Sequence, residues 1–520
     1  MDSSEAARGK ESVQKRSPLD LIMNQLRRKT SFTERKKTSV GRLFRPSESS
    51  DRKNGGIPEI KESDLSEGKE NKEPERESSI TAEESGSVVG WGRVKQFMQK
   101  LGKTPHSHSL SLSHCDLTAT DLVELATLLP FMSELELMEL SWNDLLGGSL
   151  KALTAHLQHV EKLRMLKLCS CRLAPQDLTA LGKALPLLSG LEELDLSNNK
   201  LSIKGMENLT SSFSATPRLK TLKLSMCGLG KDHLSALGQA FRFITALEHM
   251  DLSCNKEAGG GLSTLAANLL LLTHLRSLDM HLCCLTKDDV LTLVQVAPSL
   301  KELRELDLSS NKSVGDTLQN LLQSLPLSQM TKLPLNNCDL SDSACQALAT
   351  VMQTLKRLES LNLSWNKCVG ENLREFLEPL QADCKLQELR LSSCNLTTED
   401  VLHLESACQR GALSQLKLLD LSYNGSVGDG GWTSLFGKAA SLKGLEELDV
   451  SLRPSASLSV SPWLPALLEA LPQLTSLSRL SLQHWTLSSA ERDKLEKILS
   501  KKSAILECDR LNTPTPKAAG

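Results

Sequence analysis

No uninterrupted run of about 18 apolar residues occurs in this 520-residue chain, and Met1 to Lys15 is polar where a secretory leader would carry its apolar stretch. Neither a transmembrane helix nor a cleaved signal is therefore expected. An excess of one charge is also lacking. The 61 lysines and arginines nearly balance 63 aspartates and glutamates, for a formal net charge of −2, so no global field draws the chain to nucleic acid or to a membrane. Matched zinc pairs are missing. Among 14 cysteines, no C-x-x-C is answered by a second such pair or by two histidines, and no metal site is expected. Glycine is missing where a phosphate loop needs it. Ahead of Gly102-Lys103-Thr104 the required position is Phe97, and Pro105 follows, so no nucleotide or other cofactor is expected. The 11 histidines are scattered, and no Ser/His/Asp motif emerges. His281, near Asp279 and Asp307, reads as a surface residue. No catalytic residue is assigned and no enzyme is expected.

Large apolar residues are scarce at the N-terminus. Residues 1–86 are rich in Ser, Lys, Arg and Glu, and too little can be buried there to offset the entropy of the chain. They read as a disordered tail. One island, Ser17 to Arg28, has an N-cap serine, Pro18 at the first helical position, and Leu19, Ile22, Met23 and Leu26 on one face, as in a short docking helix. Residues 87–105 carry Trp91, Val94, Met98 and Leu101 at helical spacing and read as an N-terminal capping helix.

What is abundant is leucine in a fixed frame. From Cys115 a Cys or an Asn recurs about every 28 residues, and the two alternate: Cys115, Asn143, Cys171, Asn199, Cys227, Asn255, Cys283, Asn311, Cys338, Asn366, Cys394 and Asn424. Each closes the pattern L-x-x-L-x-L-x-x-(N/C), clearest in Leu191, Leu194, Leu196 and Asn199. Such a period marks a leucine-rich-repeat solenoid, running here over residues 106–487. Alternating leucines of a short strand point inward. The Asn or Cys then sits on a buried rung, where an amide or a small thiol can bond the backbone of the turn. Two degenerate repeats follow, with Arg453 and Trp485 at the rung position, which makes about 14 repeats. Residues 488–520 read as the C-terminal cap, with a Ser488/Glu491 capping box, and a frayed tail. Cysteines on like rungs stand two strands apart, about 10 Å, too far for disulfides. They read as reduced thiols, which points to the cytoplasm with the nucleus left open.

Odd repeats continue as C-x-L-T-x-x-D, in which Thr118, Thr286 and Thr397 are N-caps with an acid three residues on; even repeats carry glycine turns at Gly315, Gly370 and Gly428. A helix in every repeat makes one side of the stack wider than the other. The expected fold is thus α/β, a horseshoe with a parallel concave sheet and convex helices. Repeat nine is the expected weak point, because Pro334 falls in mid-strand and brings no amide donor.

A 28-residue unit that alternates a Cys type with an Asn type resembles the ribonuclease-inhibitor class of leucine-rich repeats. The family context implies an intracellular, adaptor-like protein without catalysis. The contact set of the inhibitor itself, an acidic concave face with aromatics and a tyrosine–acid contact near the C-terminal end, is incomplete here, since the only tyrosine is Tyr423 and the last repeats end at His484-Trp485. Two columns are candidates for binding. The residue between the last two leucines of each strand should face the concave side, and there Asp251, Asp279 and Asp307 fall in succession. Like charges so stacked repel, which a basic partner would relieve. The residue before each Asn rung is Trp142, Trp365 or Tyr423 in three repeats, a set of rim aromatics of the type favoured at binding hot spots. The resulting expectation is a monomeric scaffold or adaptor that binds a protein partner, not nucleic acid, with no membrane span. A non-catalytic regulator of another enzyme, inhibitor or GTPase-activator in kind, is the competing reading.

Overall fold

A computed structural model describes residues 102–456 and 458–509. The expected tail, its docking helix, residues 87–101 of the expected N-terminal cap and the chain end from 510 lie outside the described residues. The repeats lie in the compact unit that begins at Pro105.

Three-residue strands recur once per repeat and build one parallel sheet of fifteen strands, ordered along the sheet as they are along the chain, from Ser109–Ser111 to Ile505–Glu507. In the first thirteen strands of the sheet the central residue is buried and its neighbours are more exposed, as period-two alternation requires: Leu194, Leu222 and Leu278 are buried between half-buried flanks. Because the repeats are equal in length, equivalent positions pair, as in Leu194↔Leu222 and Leu278↔Leu306. Helices and 3₁₀ turns return the chain behind the sheet and close a continuous leucine core. The expected capping boxes are present at Thr118/Asp121, Thr286/Asp289 and Thr397/Asp400. Asp289 also accepts the amides of Gly260 and Leu262 from the repeat before, at 2.6 and 3.0 Å, so one carboxylate caps its own helix and ties down its neighbour's loop. Space requires the glycine at Gly315 and Gly370, whereas a Cβ on Gly428 would meet only the Thr398 hydroxyl, at 3.1 Å. A Cβ on Gly315 would sit 2.2 Å from the carbonyl oxygen of Asp339, and one on Gly370 2.3 Å from that of Asn395.

The rungs carry the polar bonding expected of them. Asn255 accepts the amides of Cys227 and Leu229 at Oδ1, at 2.8 and 3.0 Å, and donates from Nδ2 to the carbonyls of Leu224 and Leu252, at 2.9 and 2.8 Å. From Cys171 onward the Cys rungs donate their thiols to a carbonyl of the preceding repeat, Cys283 to Leu252 at 3.1 Å. Burial pushes the thiols of Cys171, Cys227, Cys283, Cys338 and Cys394 up to about 12. All 14 cysteines are free.

Three expectations change. Arg453 is exposed and is not a buried rung, since its guanidinium would lose hydration there. It reaches back instead to Ser393, Nη2 donating to Oγ at 2.6 Å. The rung at Trp485 is real: its indole Nε1 donates to the Val450 carbonyl at 2.8 Å, doing the work of an asparagine amide, within a buried cluster with Trp432, Trp463 and Phe436. The segment read only as cap and tail adds a strand, Ile505–Glu507, in register with Arg479–Ser481, and a second, two-stranded sheet pairs Leu458–Ser459 with Trp485–Thr486. At repeat nine the sheet does not break but thins. Lys332–Pro334 keeps three residue pairs with Ser360–Asn362 and only Glu305↔Lys332 on the other side, where the proline has no N–H to give.

Candidate functional site

The residue before each rung has a feature that sequence spacing does not reveal: a left-handed backbone. φ is +63° at Trp142, +59° at Cys254, +64° at Trp365 and +64° at Tyr423, a region that large L-residues rarely enter. The strain is held by the sheet, because each of these amides donates to the next repeat, Trp365 to Ser392 at 2.8 Å and Tyr423 to Ser451 at 2.7 Å. The turn throws the side chain outward. Trp142 is 49 % and Trp365 54 % exposed. The three expected rim aromatics do not form one set. Trp365 and Tyr423 lean together across the intervening strand, with ring centroids 6.3 Å apart and planes at 59°, whereas Trp142 stacks on His114 near the other end of the ladder at 5.3 Å.

Asp251, Asp279 and Asp307 lie side by side on the open sheet face, paired in register on three successive strands and each half-buried. Oδ1 of Asp251 accepts the amide and hydroxyl of Ser253 at 2.9 and 2.6 Å, and Asp307 holds Ser309 in the same way. In the middle repeat a histidine replaces that serine. His281 Nδ1 lies 2.9 Å from Asp279 Oδ1, and its Nε2 lies 3.2 Å from Cys254 Sγ. Burial, with Asp279 alongside, lifts the carboxyls of Asp251 and Asp307 above the usual range. The hydrogen bond to Asp279 raises His281, helped by the charges of Asp279, Asp307 and Asp251, against the opposing effect of burial. Among the described residues, no lysine or arginine forms an ion pair with the three aspartates, and the imidazole of His281 meets Asp279.

A second acidic group escaped the sequence reading. Asp420 pairs in register with Asp449, and Glu507 follows from the terminal strand, around a shallow cavity of about 150 Å³ that Arg390 and Arg479 also line. Burial, with Asp420 and Glu507 adding their charge, pushes Asp449 up to about 6. The signal was hidden because Glu507 belongs to a strand that no repeat motif marks. Cys254 and His281 were in plain view, yet only the register of neighbouring strands brings them to hydrogen-bonding distance.

Family models described as leucine-rich repeats match residues 190–212, 301–317 and 382–404. A pig (Sus scrofa) ribonuclease inhibitor is 35 % identical over 153 residues, 29 % of this chain and 33 % of that protein. An NLR family CARD domain-containing protein 4 from Xenopus tropicalis is 26 % identical over 250 residues, 41 % of this chain and 24 % of that protein. The chain thus spans a third or less of these relatives. Among solved structures, an internalin of Listeria monocytogenes is similar at 18 % identity over 67 % of this chain and 87 % of that one, with a TM-score of 0.40. No helix among the described residues is long and apolar enough to cross a membrane.

Proposed function

Proceeding from a chain built of ribonuclease-inhibitor-like leucine-rich repeats, we infer that it is a non-catalytic interaction protein whose sheet face receives a basic, protruding element of a protein partner. The observation that carries this reading is the stripe of Asp251, Asp279 and Asp307, in register and, among the described residues, in no ion pair with a lysine or arginine. Three carboxylates stacked about 4.8 Å apart repel one another, and an incoming Lys or Arg side chain removes that repulsion. Trp365 and Tyr423 supply the apolar anchor on the same open side. Adaptor or scaffold is the role that fits, and an intracellular address suits a chain whose cysteines are all free.

The test starts from a partner recovered by proximity labelling and then measures binding kinetics. Reversing the three aspartates to lysine should slow association about 10- to 1,000-fold at low salt and flatten its salt dependence. Trp365→Ala should leave association alone and speed dissociation about 30-fold, the kinetic form of a hot spot worth about 2 kcal/mol. Wild-type kinetics in both variants, with binding lost on altering exposed helix residues, would move the site to the other side of the solenoid.

A further inference from the structure

The stripe has a second chemical character that a run of acids alone would not have. Asp279, His281 and Asp307 each bring one donor atom to within 4.8 Å of the other two. The set mixes an imidazole nitrogen with two carboxylates, and a thiol stands behind the imidazole at 3.2 Å. We propose that Asp279, His281 and Asp307 form a binding site for a divalent first-row transition cation, with Zn²⁺ the fitting probe, in which Cys254 orients the histidine from outside the coordination sphere.

The geometry favours this on three counts. Zinc takes nitrogen and carboxylate oxygen at about 2.0–2.2 Å, so tetrahedral ligands sit about 3.3–3.6 Å from one another. His281 Nδ1 and Asp279 Oδ1 are hydrogen-bonded at 2.9 Å and need to part by only about half an ångström to take an ion between them. The amide and hydroxyl bonds that Asp307 accepts from Ser309 use Oδ1 alone, so its other oxygen can turn toward the ion while the turn stays intact. The second count is the outer partner. When His281 ligates through Nδ1, its Nε2–H faces Cys254 Sγ, the arrangement in which a ligating histidine donates its remaining ring N–H to fix tautomer and ring plane. The third is charge. Asp251, Asp279 and Asp307 together with a neutral imidazole carry three negative charges in one half-buried patch, and a divalent ion offsets most of them. With three donors, one of them nitrogen, the set is too small and too soft for Ca²⁺, which takes 6–8 oxygens.

The site stands apart from the partner-binding reading. It is measured without a partner, so its failure leaves that reading intact, and loss of partner binding says nothing against it.

Isothermal titration of the full chain with ZnCl₂ should give one site. Asp307→Asn keeps the His281–Asp279 bond and should weaken binding at least ~10-fold; His281→Ala should abolish the site. Cys254→Ser should cost less than either, within the ~10- to 100-fold of an outer-shell loss. Thermal melts of the variants report folding, and should His281→Ala fail to fold, Asp307→Asn decides. The exposed thiol of Cys284 is the competing ligand. Zn²⁺ affinity unchanged by Asp307→Asn, or lost on Cys284→Ser, would overturn the proposal, as would Ca²⁺ binding the same groups as tightly as Zn²⁺.

Discussion

Two stretches of the same sheet face treat charge in opposite ways. On the strands before Asp251 the acids and bases interleave. In the column formed by the last residue of each strand, Glu139, Lys167, Asp195 and Lys223 alternate in sign and pair in register, and Lys167 and Lys223 both reach Glu193, at 3.6 and 3.0 Å. From Asp251 to Asp307 the column is all acid, met by one histidine. Behind both stretches the core is the same: Leu194, Leu196, Leu222, Leu278, Leu306 and Leu308 are all buried. The repeat frame thus leaves the face free to vary. A paired face is satisfied by its own neighbours, whereas an unpaired one gains from a ligand, and the contrast between them is what singles out repeats six to eight.

The sharpest way to break this comparison is through the core. Leu196→Ala beneath the paired stretch and Leu308→Ala beneath the acidic one should each cost about 2–5 kcal/mol in denaturant unfolding, with partner binding by folded protein unchanged. A much smaller cost at Leu308 would mean that the two stretches do not share an equivalent core. One step down, Asn255→Ala strips the rung directly behind the stripe. It leaves the amides of Cys227 and Leu229 unpaired, for about 1–3 kcal/mol, and should again spare binding. A rung variant of normal stability that loses its partner or Zn²⁺ would place the rung on the wrong side. Amide exchange sharpens the far border of the acidic stretch. Residues 330–340 should exchange faster than those around Leu222 or Leu389, since the Glu305–Lys332 junction keeps a single residue pair. Uniform protection would remove repeat nine as a boundary.

The smallest expected effect is the most specific to the comparison. The folded carboxyls of Asp251 and Asp307 are raised above their unfolded value, so between the two values the folded chain holds more protons and stability falls as pH rises. His281, raised as well, adds stability at low pH that is lost as pH climbs through its folded pKa. Glu192 goes the other way. Burial pulls it up, but the bonds from Arg164 and Lys220 outweigh burial, so its contribution holds at neutral pH and is lost in acid. Asp251→Asn with Asp307→Asn should accordingly stabilise the chain at neutral pH by about 0.2–1 kcal/mol, a gain that fades as pH falls into the carboxylate range. Melting curves across pH check it, and a gain that persists in acid would show that the repulsion is not its source.

The fold was legible because a solenoid repeats one local decision. Leu191, Leu194, Leu196 and Asn199 state strand, core and rung within nine positions, and the next repeat says it again. Where that statement degrades, at Arg453 and past Ser488, the reading of the rung and of the final strand slipped, because those choices depend on Ser393 and on Arg479–Ser481, in other repeats. The candidate face divides in the same way. That Asp251, Asp279 and Asp307 share a column follows from equal repeat lengths alone, and the equal lengths are written in the chain. That Trp365 meets Tyr423 and not Trp142, that His281 bridges Asp279 and Cys254, and that Glu507 completes a second acidic group were decided by tertiary structure. These contacts depend on left-handed turns and on which strand lies next to which: the His281–Asp279 bond is local, but a distance of a few ångströms between side chains 27 or more residues apart exists only once the sheet has set its register.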